Sequence, residues 1–393
     1  YGEEEAAKMM NACAEWRRTF RGLGDVSELG RRSVADVLNG VTIDEMFAIY
    51  QNRFTGTFDR LGRPIYIDRS GSVDTETAAL VMGIERLLDY HVHQIEGEQS
   101  LLLARASETA GRPVNELCTI LDISGMSLSL INSHTKKFFN LMSKVDSDYY
   151  PESAGVILCI NAPGVFSAAW SMAKKVLDKR TVSKIRILSP SDPWQEELLK
   201  HIAPENLPVE YGGTLELEGG LFPPSRTKKT EMSSKYPVHV EERAGVAAGE
   251  RVRYKFHSKG GGMTFSVEFA PDSGGDAAAW TMLSAPKKVE KLVVEETWVT
   301  APEAGRLRAT WKPSRASGRV LYTRVESEIE RVEDLRQSTE AAAEIAKRLA
   351  AVSSGARVDE DVEEVDAAGG GAGGAGGPAG ASGTAASAAA PTA

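Results

Sequence analysis

The sequence predicts an α/β domain with a mixed sheet, followed by a small antiparallel β-sandwich. Four short apolar runs near residues 65, 117, 155 and 184 have the composition of buried strands, and helical patterns separate them. Strands that alternate with helices are typical of an α/β layer. After residue 237 the pattern changes to short alternating runs divided by Gly, Pro and Asp turns, which is typical of a sandwich. These runs are residues 238–242, 251–257, 264–269, 291–298, 305–311 and 320–325.

The composition limits the classes of function. The chain has 393 residues, of which 42% are hydrophobic, and this length accommodates two domains with tails. Its net charge of -9 argues against a nucleic-acid partner, so any attraction to phosphate must be local. Cys13, Cys118 and Cys159 lack metal-ligand spacing, which indicates buried free thiols in a reducing compartment. No run of eighteen apolar residues or signal peptide is present, and the start at Tyr1 suggests a fragment.

The elements of the first half can be predicted in order. Apolar residues recur every three or four positions over residues 3–20, which predicts a helix. A turn at 59–63 precedes a strand at 65–68, and residues 75–110 form a long helical region. A strand at 116–123 is followed by a helix to about residue 145 and by a buried strand at 155–160.

Residues 165–177 are the most informative stretch. They predict a helix that is apolar on most of its faces, which requires burial on several sides or contact with something apolar that is not protein. The helix leads into a segment that contains one acid, Asp178, and six cations. The cations are Lys174, Lys175, Lys179, Arg180, Lys184 and Arg186. This order fits a ligand with a hydrocarbon body and an anionic head, although a core helix with a solvated basic end has the same pattern.

Several motifs around this helix resemble those of one family. They are YYPE at 149–152, INAP at 160–163, Phe166-Ser167, TVSKI at 181–185, QEELLK at 195–200 and ENLPVEYGG at 205–213. Their order and spacing resemble the CRAL-TRIO lipid-binding family, especially its secretory-pathway phosphatidylinositol/phosphatidylcholine transfer proteins. A weaker match extends back to about residue 6. The resemblance implies a lipid-binding domain with a mobile gate helix, and it places a basic family helix that helps to hold the headgroup before Tyr1.

The resemblance also implies three groups of site residues. Lys184 and Thr181 would contact the phosphatidylinositol headgroup, and Glu152 would contribute to the same contact and to gating. A second lipid pocket would include Tyr90, Leu117 and Thr119. Leu117 stands where the family has a serine for phosphatidylcholine, which argues against a choline lipid and leaves another hydrophobic second ligand open. The gate helix would present Phe166, Trp170, Met172 and Val176 to an acyl chain or bilayer.

The remaining domains follow from pattern and resemblance. The sandwich and its closing segment at 305–326 resemble a GOLD domain, as in patellin-type proteins. A charged, Ala-rich segment after it predicts a helix, and the final Gly- and Ala-rich residues predict disorder. The expected boundaries are the end of an N-terminal helical module at 1–40, the lipid domain at 41–222, a linker at 223–237, the sandwich at 238–327, a helix at 328–352 and a disordered tail at 353–393.

No motif indicates an enzyme or a metal. A Gly-x-Ser-x-Gly sequence is absent, and glycines 260–262 lack the Lys-Ser/Thr of a phosphate loop, which favours a hairpin turn. His91 and His93 are two residues apart on a predicted helix and therefore point to different faces, so they cannot chelate one metal. We expect a non-enzymatic protein without a cofactor other than a bound phospholipid.

The sequence favours phosphatidylinositol binding, with transfer between membranes or presentation to lipid-modifying enzymes. The expected setting is the cytoplasm, peripheral at Golgi or other endomembranes or the plasma membrane. Two alternatives stay open. One is a lipid-sensing adaptor, without net transfer, whose GOLD-like domain recruits trafficking proteins. The other is a carrier of another small hydrophobe, such as a tocopherol or retinoid.

Overall fold

The N-terminal part is a group of helices. The computed structural model describes residues 2–233, 238–314 and 319–354. Its first helices are α1 (Glu3–Thr19), α2 (Ser27–Gly30), α3 (Val34–Val37) and α4 (Ile43–Ile49). Helix α1 confirms the helix predicted at 3–20, and its Trp16 ring stacks on Tyr149 with ring centroids 4.3 Å apart. Helix α4 begins at a capping box in which Thr42 and Glu45 satisfy each other's backbone N–H groups.

A five-stranded mixed sheet follows. Its strands are β1 (Asn52–Phe58), β2 (Pro64–Asp68), β3 (Leu117–Asp122), β4 (Ala154–Ile160) and β5 (Ile185–Ile187). They lie side by side in chain order; β1 is antiparallel to β2, and β2 to β5 are parallel. The mixed α/β sheet is thus confirmed, with β1 added as an edge strand that the sequence did not predict.

Seven helices connect and cover the strands of this sheet. They are α5 (Thr75–Val81), α6 (Ile84–Gln94), α7 (Ser100–Ala110), α8 (Ser133–Tyr149), α9 (Phe166–Ala173), α10 (Lys179–Lys184) and α11 (Trp194–His201). The long helix expected at 75–110 is broken by Gly83, whose φ of 89° lies in the left-handed region, and by a π-helical turn at Ile95–Gln99. The apolar helix expected at 165–177 ends at Ala173.

The two faces of the sheet differ because consecutive strand residues point to opposite sides. On one face Ile65, Ile67, Cys118, Ile120 and Leu158 are fully buried. They pack against α11 and the segment after it in a dry core that includes Leu198, Ile202, Leu207 and Tyr211. The other face looks towards α6, α8 and α9.

The C-terminal part is an antiparallel β-sandwich. Its strands are β6 (Lys228–Met232), β7 (His239–Val246), β8 (Arg251–Lys259), β9 (Met263–Pro271), β10 (Thr281–Val289), β11 (Glu295–Thr300), β12 (Gly305–Pro313) and β13 (Arg319–Ser327). They form two four-stranded sheets in the orders β10-β9-β12-β7 and β11-β8-β13-β6. The fully buried side chains of Trp311, Phe256, Phe265 and Tyr254 fill the space between the sheets. The predicted sandwich is confirmed.

Several details of the C-terminal prediction need correction. The segment expected as a linker at 223–237 contains β6, and β10 was not predicted. The strand expected at 291–298 begins at Glu295 and ends at Thr300. Glycines 260–262 join β8 in one sheet to β9 in the other, so they form a connection between sheets and not a hairpin.

The predicted C-terminal helix is confirmed as α12 (Glu328–Ser353), and Ser327 caps its first turn together with Glu330. Most of the tail predicted to be disordered, residues 355–393, lies outside the described residues. The three cysteines are free; Cys118 and Cys159 are buried and Cys13 is half-buried. In the described part of the chain, no helix has the length and hydrophobicity needed to cross a bilayer.

Ion pairs join the sandwich to the α/β domain. Asp74, which caps α5, accepts hydrogen bonds from Lys259 at 2.9 Å and from the Tyr322 hydroxyl. On α4, Glu45 pairs with Lys255 at 2.7 Å, and Asp44 pairs with the buried Arg324. Removing one partner of a buried pair leaves an uncompensated charge and is strongly destabilising. These contacts therefore hold the sandwich against α4 and α5.

One buried histidine belongs to this interface. The His257 ring stacks on Tyr322 with centroids 4.7 Å apart, and its Nε2 lies 3.3 Å from the Thr77 hydroxyl of α5. The pKa of His257 is lowered from 6.5 to about 4, mainly by burial; Asp74 opposes this shift, and the neighbouring lysines Lys255 and Lys259 add to it. The folded protein therefore resists protonation of this ring.

We predict that the protein loses stability in mild acid because of His257. The unfolded imidazole takes up a proton near pH 6.5 and the folded one only near pH 4. The free energy of unfolding should therefore fall by up to about 3 kcal/mol as pH drops between these values. Denaturant titrations of the wild type and of His257→Gln from pH 7 to pH 4.5 measure this loss by difference. An equal pH dependence in both proteins would contradict the prediction.

Candidate functional site

A cavity of about 860 Å³ lies between the second face of the sheet and helices α6, α8 and α9. Its floor contains a row of side chains in register across four strands, from Tyr66 through Thr119 and Ile157 to Ile185. Leu117, on β3 two residues before Thr119, lies on the same floor. Leu117 and Thr119 alternate along β3 with the buried Cys118 and Ile120. Because successive side chains of a strand point to opposite faces, the sheet has one face in a dry core and one face on the cavity.

Helix α9 closes part of this cavity with apolar side chains. Phe166, Trp170 and Met172 of α9 line the cavity, and so does Val176 in the turn after it. The Phe166 and Trp170 rings are four residues apart and stack with centroids 6.3 Å apart. No residue of α9 is buried, and Met172 is 37% and Val176 44% exposed. The helix is thus apolar without being held in a protein core. All four residues predicted for the gate line the cavity.

The predicted headgroup residues converge on one side of the cavity. Lys184 ends α10, and its Nζ donates to the Ala154 carbonyl at 2.5 Å and lies 3.6 Å from Glu152. Glu152 also pairs with Arg180, and Thr181 is one turn before Lys184 on α10. The Thr181 hydroxyl donates to Asp178, the N-cap of this helix.

Lys184 has a second acidic neighbour, Glu116, at 3.4 Å. Glu152, Thr181 and Lys184 line the cavity, together with the additional cations Lys175 and Arg180. This side therefore combines three cations and the Thr181 hydroxyl with the carboxylates of Glu152 and Asp178, next to an apolar space.

The second predicted pocket is only partly assembled. Leu117 and Thr119 line the cavity, but Tyr90 does not appear in its wall. Tyr90 is 3% exposed and packs in the helical core, where its hydroxyl accepts a hydrogen bond from Gln94 Nε2 at 3.3 Å. Gln94 reaches the cavity, so Tyr90 lies one layer behind the wall. Its placement among the pocket residues is corrected accordingly.

Sequence reasoning missed a set of polar residues on the β2 side. We name Tyr50, Tyr66, Asp68, His91, Gln94 and Gln99 the polar wall; all six line the cavity. Asp68 accepts hydrogen bonds from the Tyr50 hydroxyl at 2.5 Å and from the Ser70 hydroxyl at 2.7 Å. The alternation of the strand could have placed Asp68 beside Tyr66, two residues before it, but no sequence signal brings Gln94 or Gln99 to the same wall.

The two histidines of α6 have separate partners. His91 Nε2 lies 2.6 Å from an Asp146 oxygen, and His93 Nε2 lies 3.0 Å from the Arg32 carbonyl. Burial disfavours the His91 cation, but the charge and hydrogen bond of Asp146 outweigh it and raise its pKa. Among the described residues, no group of three or more His, Cys, Asp or Glu side chains is arranged to hold a metal ion.

Asp68 makes the stability of the site depend on pH. Burial raises its pKa from 3.8 to about 6, and the hydrogen bonds from Tyr50 and Ser70 limit the rise. The folded carboxyl therefore binds its proton more tightly than the unfolded one. We predict that raising pH from 4 to 7 costs the wild type about 2.4 kcal/mol of unfolding free energy relative to Asp68→Asn, which cannot ionise. Denaturant titrations at both pH values test this, and a difference that does not change with pH would contradict it.

Comparison with known proteins shows which family the α/β domain resembles. The model of the CRAL/TRIO domain family matches residues 51–213. The "Sec14 cytosolic factor" of Schizosaccharomyces pombe is 30% identical over 241 residues, which are 61% of this chain and 76% of that protein. The "SEC14 cytosolic factor" of Kluyveromyces lactis is 35% identical over 224 residues, 56% of this chain and 69% of that protein.

A plant relative matches a shorter region. The "Phosphatidylinositol/phosphatidylcholine transfer protein SFH11" of Arabidopsis thaliana is 37% identical over 155 residues, 39% of this chain and 41% of that protein. The sandwich is not named by these matches, so its GOLD-like character stays a prediction. The matched residues include all five strands of the cavity sheet and helices α5 to α11. With this fold and these relatives, the chain belongs to the CRAL-TRIO family.

Proposed function

We propose that this protein is a non-enzymatic phospholipid binder that takes phosphatidylinositol into its cavity and transfers it between membranes or presents it to lipid-modifying enzymes. The observation that carries this proposal is the 860 Å³ cavity, which an apolar helix closes beside a group of cations. The names of the plant relatives, which are phosphatidylinositol/phosphatidylcholine transfer proteins, support it.

The free energy of exposed acyl chains explains the need for a closed cavity. A diacyl phospholipid has about 30 methylenes, and at about 0.8 kcal/mol each their exposure to water costs about 25 kcal/mol. A carrier must therefore enclose the chains and release them only at a membrane. Helix α9 suits this role because its Phe166 and Trp170 face the cavity while the helix has no buried residue that anchors it in a core. At a bilayer, the same side chains would meet lipid instead of water.

The headgroup would bind beside α10. A phosphate oxygen could accept from the Lys184 ammonium, which is held between the Ala154 carbonyl and the carboxylates of Glu116 and Glu152. The phosphate of the ligand would then replace the carboxylates of Glu116 and Glu152 as the counterion of Lys184. The Thr181 hydroxyl would provide a neutral hydrogen bond on the same helix. Glu152 would couple the headgroup to α10 through its ion pair with Arg180.

The ion pairs that attach the sandwich are made outside the lining of the cavity. On the lipid domain they use Asp44, Glu45 and Asp74, and none of these three lines the cavity. We propose that this GOLD-like domain directs the protein to endomembranes or the plasma membrane, where it works as a peripheral protein and contacts trafficking proteins. The alternative is a lipid-sensing adaptor, in which a ligand bound in the cavity would stabilise the fold to which the sandwich is attached.

We predict that Lys184→Ala lowers phosphatidylinositol transfer at least tenfold, because a hydrogen bond to a charged group contributes about 1.5–3 kcal/mol. The measurement is transfer of labelled phosphatidylinositol from donor to acceptor vesicles, together with uptake of the lipid per chain. Lys200→Ala is the matched control, since Lys200 is exposed on α11 and pairs with Glu197.

If Lys184→Ala transferred phosphatidylinositol as fast as the wild type, the headgroup assignment would be contradicted. Uptake by the wild type without delivery to acceptor vesicles would overturn the transfer function in favour of the adaptor.

A further inference from the structure

The turn that carries Glu152 has an unusual backbone conformation. It follows α8 and consists of Tyr150, Pro151 and Glu152, all of which line the cavity. Glu152 has a φ of 60°, in the left-handed region that residues with a side chain seldom adopt. Such a conformation persists only where the surrounding contacts hold it. The position of the Glu152 carboxylate beside Lys184 therefore depends on the contacts that hold this turn.

Helix α1 makes contacts at the start of the turn. Trp16 stacks on Tyr149 and lies edge-on to the Tyr150 ring, with ring centroids 5.6 Å apart. The Cys13 thiol donates to the Tyr149 carbonyl at 3.4 Å. These contacts pack the two tyrosine rings against α1, and the Tyr150 hydroxyl has a separate partner.

This partner is an ion pair between α1 and the π-helical turn. The Tyr150 hydroxyl donates to Glu96 Oε1 at 2.6 Å. Arg17 of α1 donates to both oxygens of the same carboxylate, at 2.7 and 2.8 Å. Two parallel hydrogen bonds from a guanidinium set the direction of a carboxylate as well as its distance. Burial, together with the charge and hydrogen bond of Glu96, raises the pKa of Tyr150, so its hydroxyl keeps its proton at neutral pH.

Glu96 depends on Arg17 for its charge balance. It is 6% exposed and belongs to the turn Ile95–Gln99, in which Ile95 and Gln99 line the cavity. A buried carboxylate is costly unless a cation and hydrogen bonds compensate it, and Arg17 supplies both. Within the described part of the chain, neither Arg17 nor Glu96 is among the residues that line the cavity. Any effect of this pair on a ligand must therefore pass through Tyr150 or the π-helical turn.

The Tyr150 hydroxyl can transmit such an effect to the headgroup side. Glu152 is two residues after Tyr150, and one of its oxygens lies 3.6 Å from Lys184 Nζ while the other accepts from Arg180. Ion pairs act within about 4 Å, so a displacement of the turn by about 1 Å would break the contact with Lys184. The hydrogen bond from Tyr150 to Glu96 restrains the turn against such a displacement.

We propose that Arg17 is a positioning residue for the headgroup side of the cavity, acting through Glu96 and the Tyr150 hydroxyl on the turn that places Glu152 beside Lys184. This inference rests on the proposed function, because it assumes that Glu152 and Lys184 hold the headgroup of phosphatidylinositol. Helix α1 then contributes to ligand affinity although Arg17 does not touch the ligand.

Two substitutions in the full chain test the inference. Arg17→Met keeps an unbranched side chain and removes the guanidinium. Tyr150→Phe keeps the ring that packs on Trp16 and removes only the hydroxyl that reaches Glu96. We expect each to lower the affinity for phosphatidylinositol five- to tenfold, measured as uptake of the labelled lipid from vesicles over a range of lipid concentrations. If Arg17→Met does not fold, Tyr150→Phe alone decides the outcome.

Arg21→Met is the matched control for a loss of stability. Arg21 donates to Asp89 at 2.7 Å, and Asp89 is a buried carboxylate of the same helical core. This pair makes no printed contact with the Glu152 turn in the described part of the chain. We expect Arg21→Met to lower the melting temperature and to leave the affinity for phosphatidylinositol unchanged.

The double variant distinguishes positioning from independent damage. If Arg17 acts through the Tyr150 hydroxyl, Arg17→Met with Tyr150→Phe should bind no more weakly than the weaker single variant, within about twofold. Losses that multiply in the double variant, or wild-type affinity in both single variants, would overturn the inference alone. A wild type that takes up no phosphatidylinositol would count against the proposed function instead.

Discussion

The architecture of the lipid domain depends on its parallel strands, whose side chains pack in a core on one face of the sheet and line the cavity on the other face. Along β3, Cys118 and Ile120 enter a dry core beneath α11, whereas Leu117 and Thr119 face the cavity. Because the side-chain period of a strand is two, a shift of one residue would exchange these sets and place the Thr119 hydroxyl in the dry core. The register with β2 and β4 therefore fixes the cavity floor and the core together.

Part of the cavity is closed by an element with unusually little packing of its own. Helix α9 has no buried residue, although Phe166 and Trp170 are large and apolar. Elements with few buried contacts open at low free-energy cost, and lids are commonly of this kind. The sandwich, in contrast, is held by partly buried charge pairs such as Arg324 with Asp44. The protein thus combines a firmly attached second domain with a loosely packed helix at the place where a lipid would enter.

The parts of the fold that the sequence predicted are those with alternating apolar residues. Central strands such as β3, β8 and β12 show this pattern because one of their faces is buried. The strands that were missed, β1, β6 and β10, all lie at the edge of a sheet. An edge strand is exposed to solvent and is typically polar, short or bulged. β10 is exposed along almost its whole length and contains Pro286, and β6 reads KKTEM, so neither carries a strand signal.

The site residues also divide into those that the sequence predicted and those that it missed. Glu152, Thr181 and Lys184 are close in sequence, so motifs could place them, and the structure brings them to one side of the cavity. Asp68 and Gln99 are 31 residues apart, and nothing local in the sequence links them. Tyr90 was assigned to the pocket although its ring points into the helical core, because a residue match carries no information about which face of a broken helix meets the cavity.

The central claim is that the cavity holds phosphatidylinositol, and native mass spectrometry of the purified chain, followed by lipid extraction, tests it most directly. Our account predicts one phosphatidylinositol per chain, lost on denaturation and regained after incubation with vesicles that contain it. A chain that purifies empty and takes up no phosphatidylinositol from such vesicles would contradict the account.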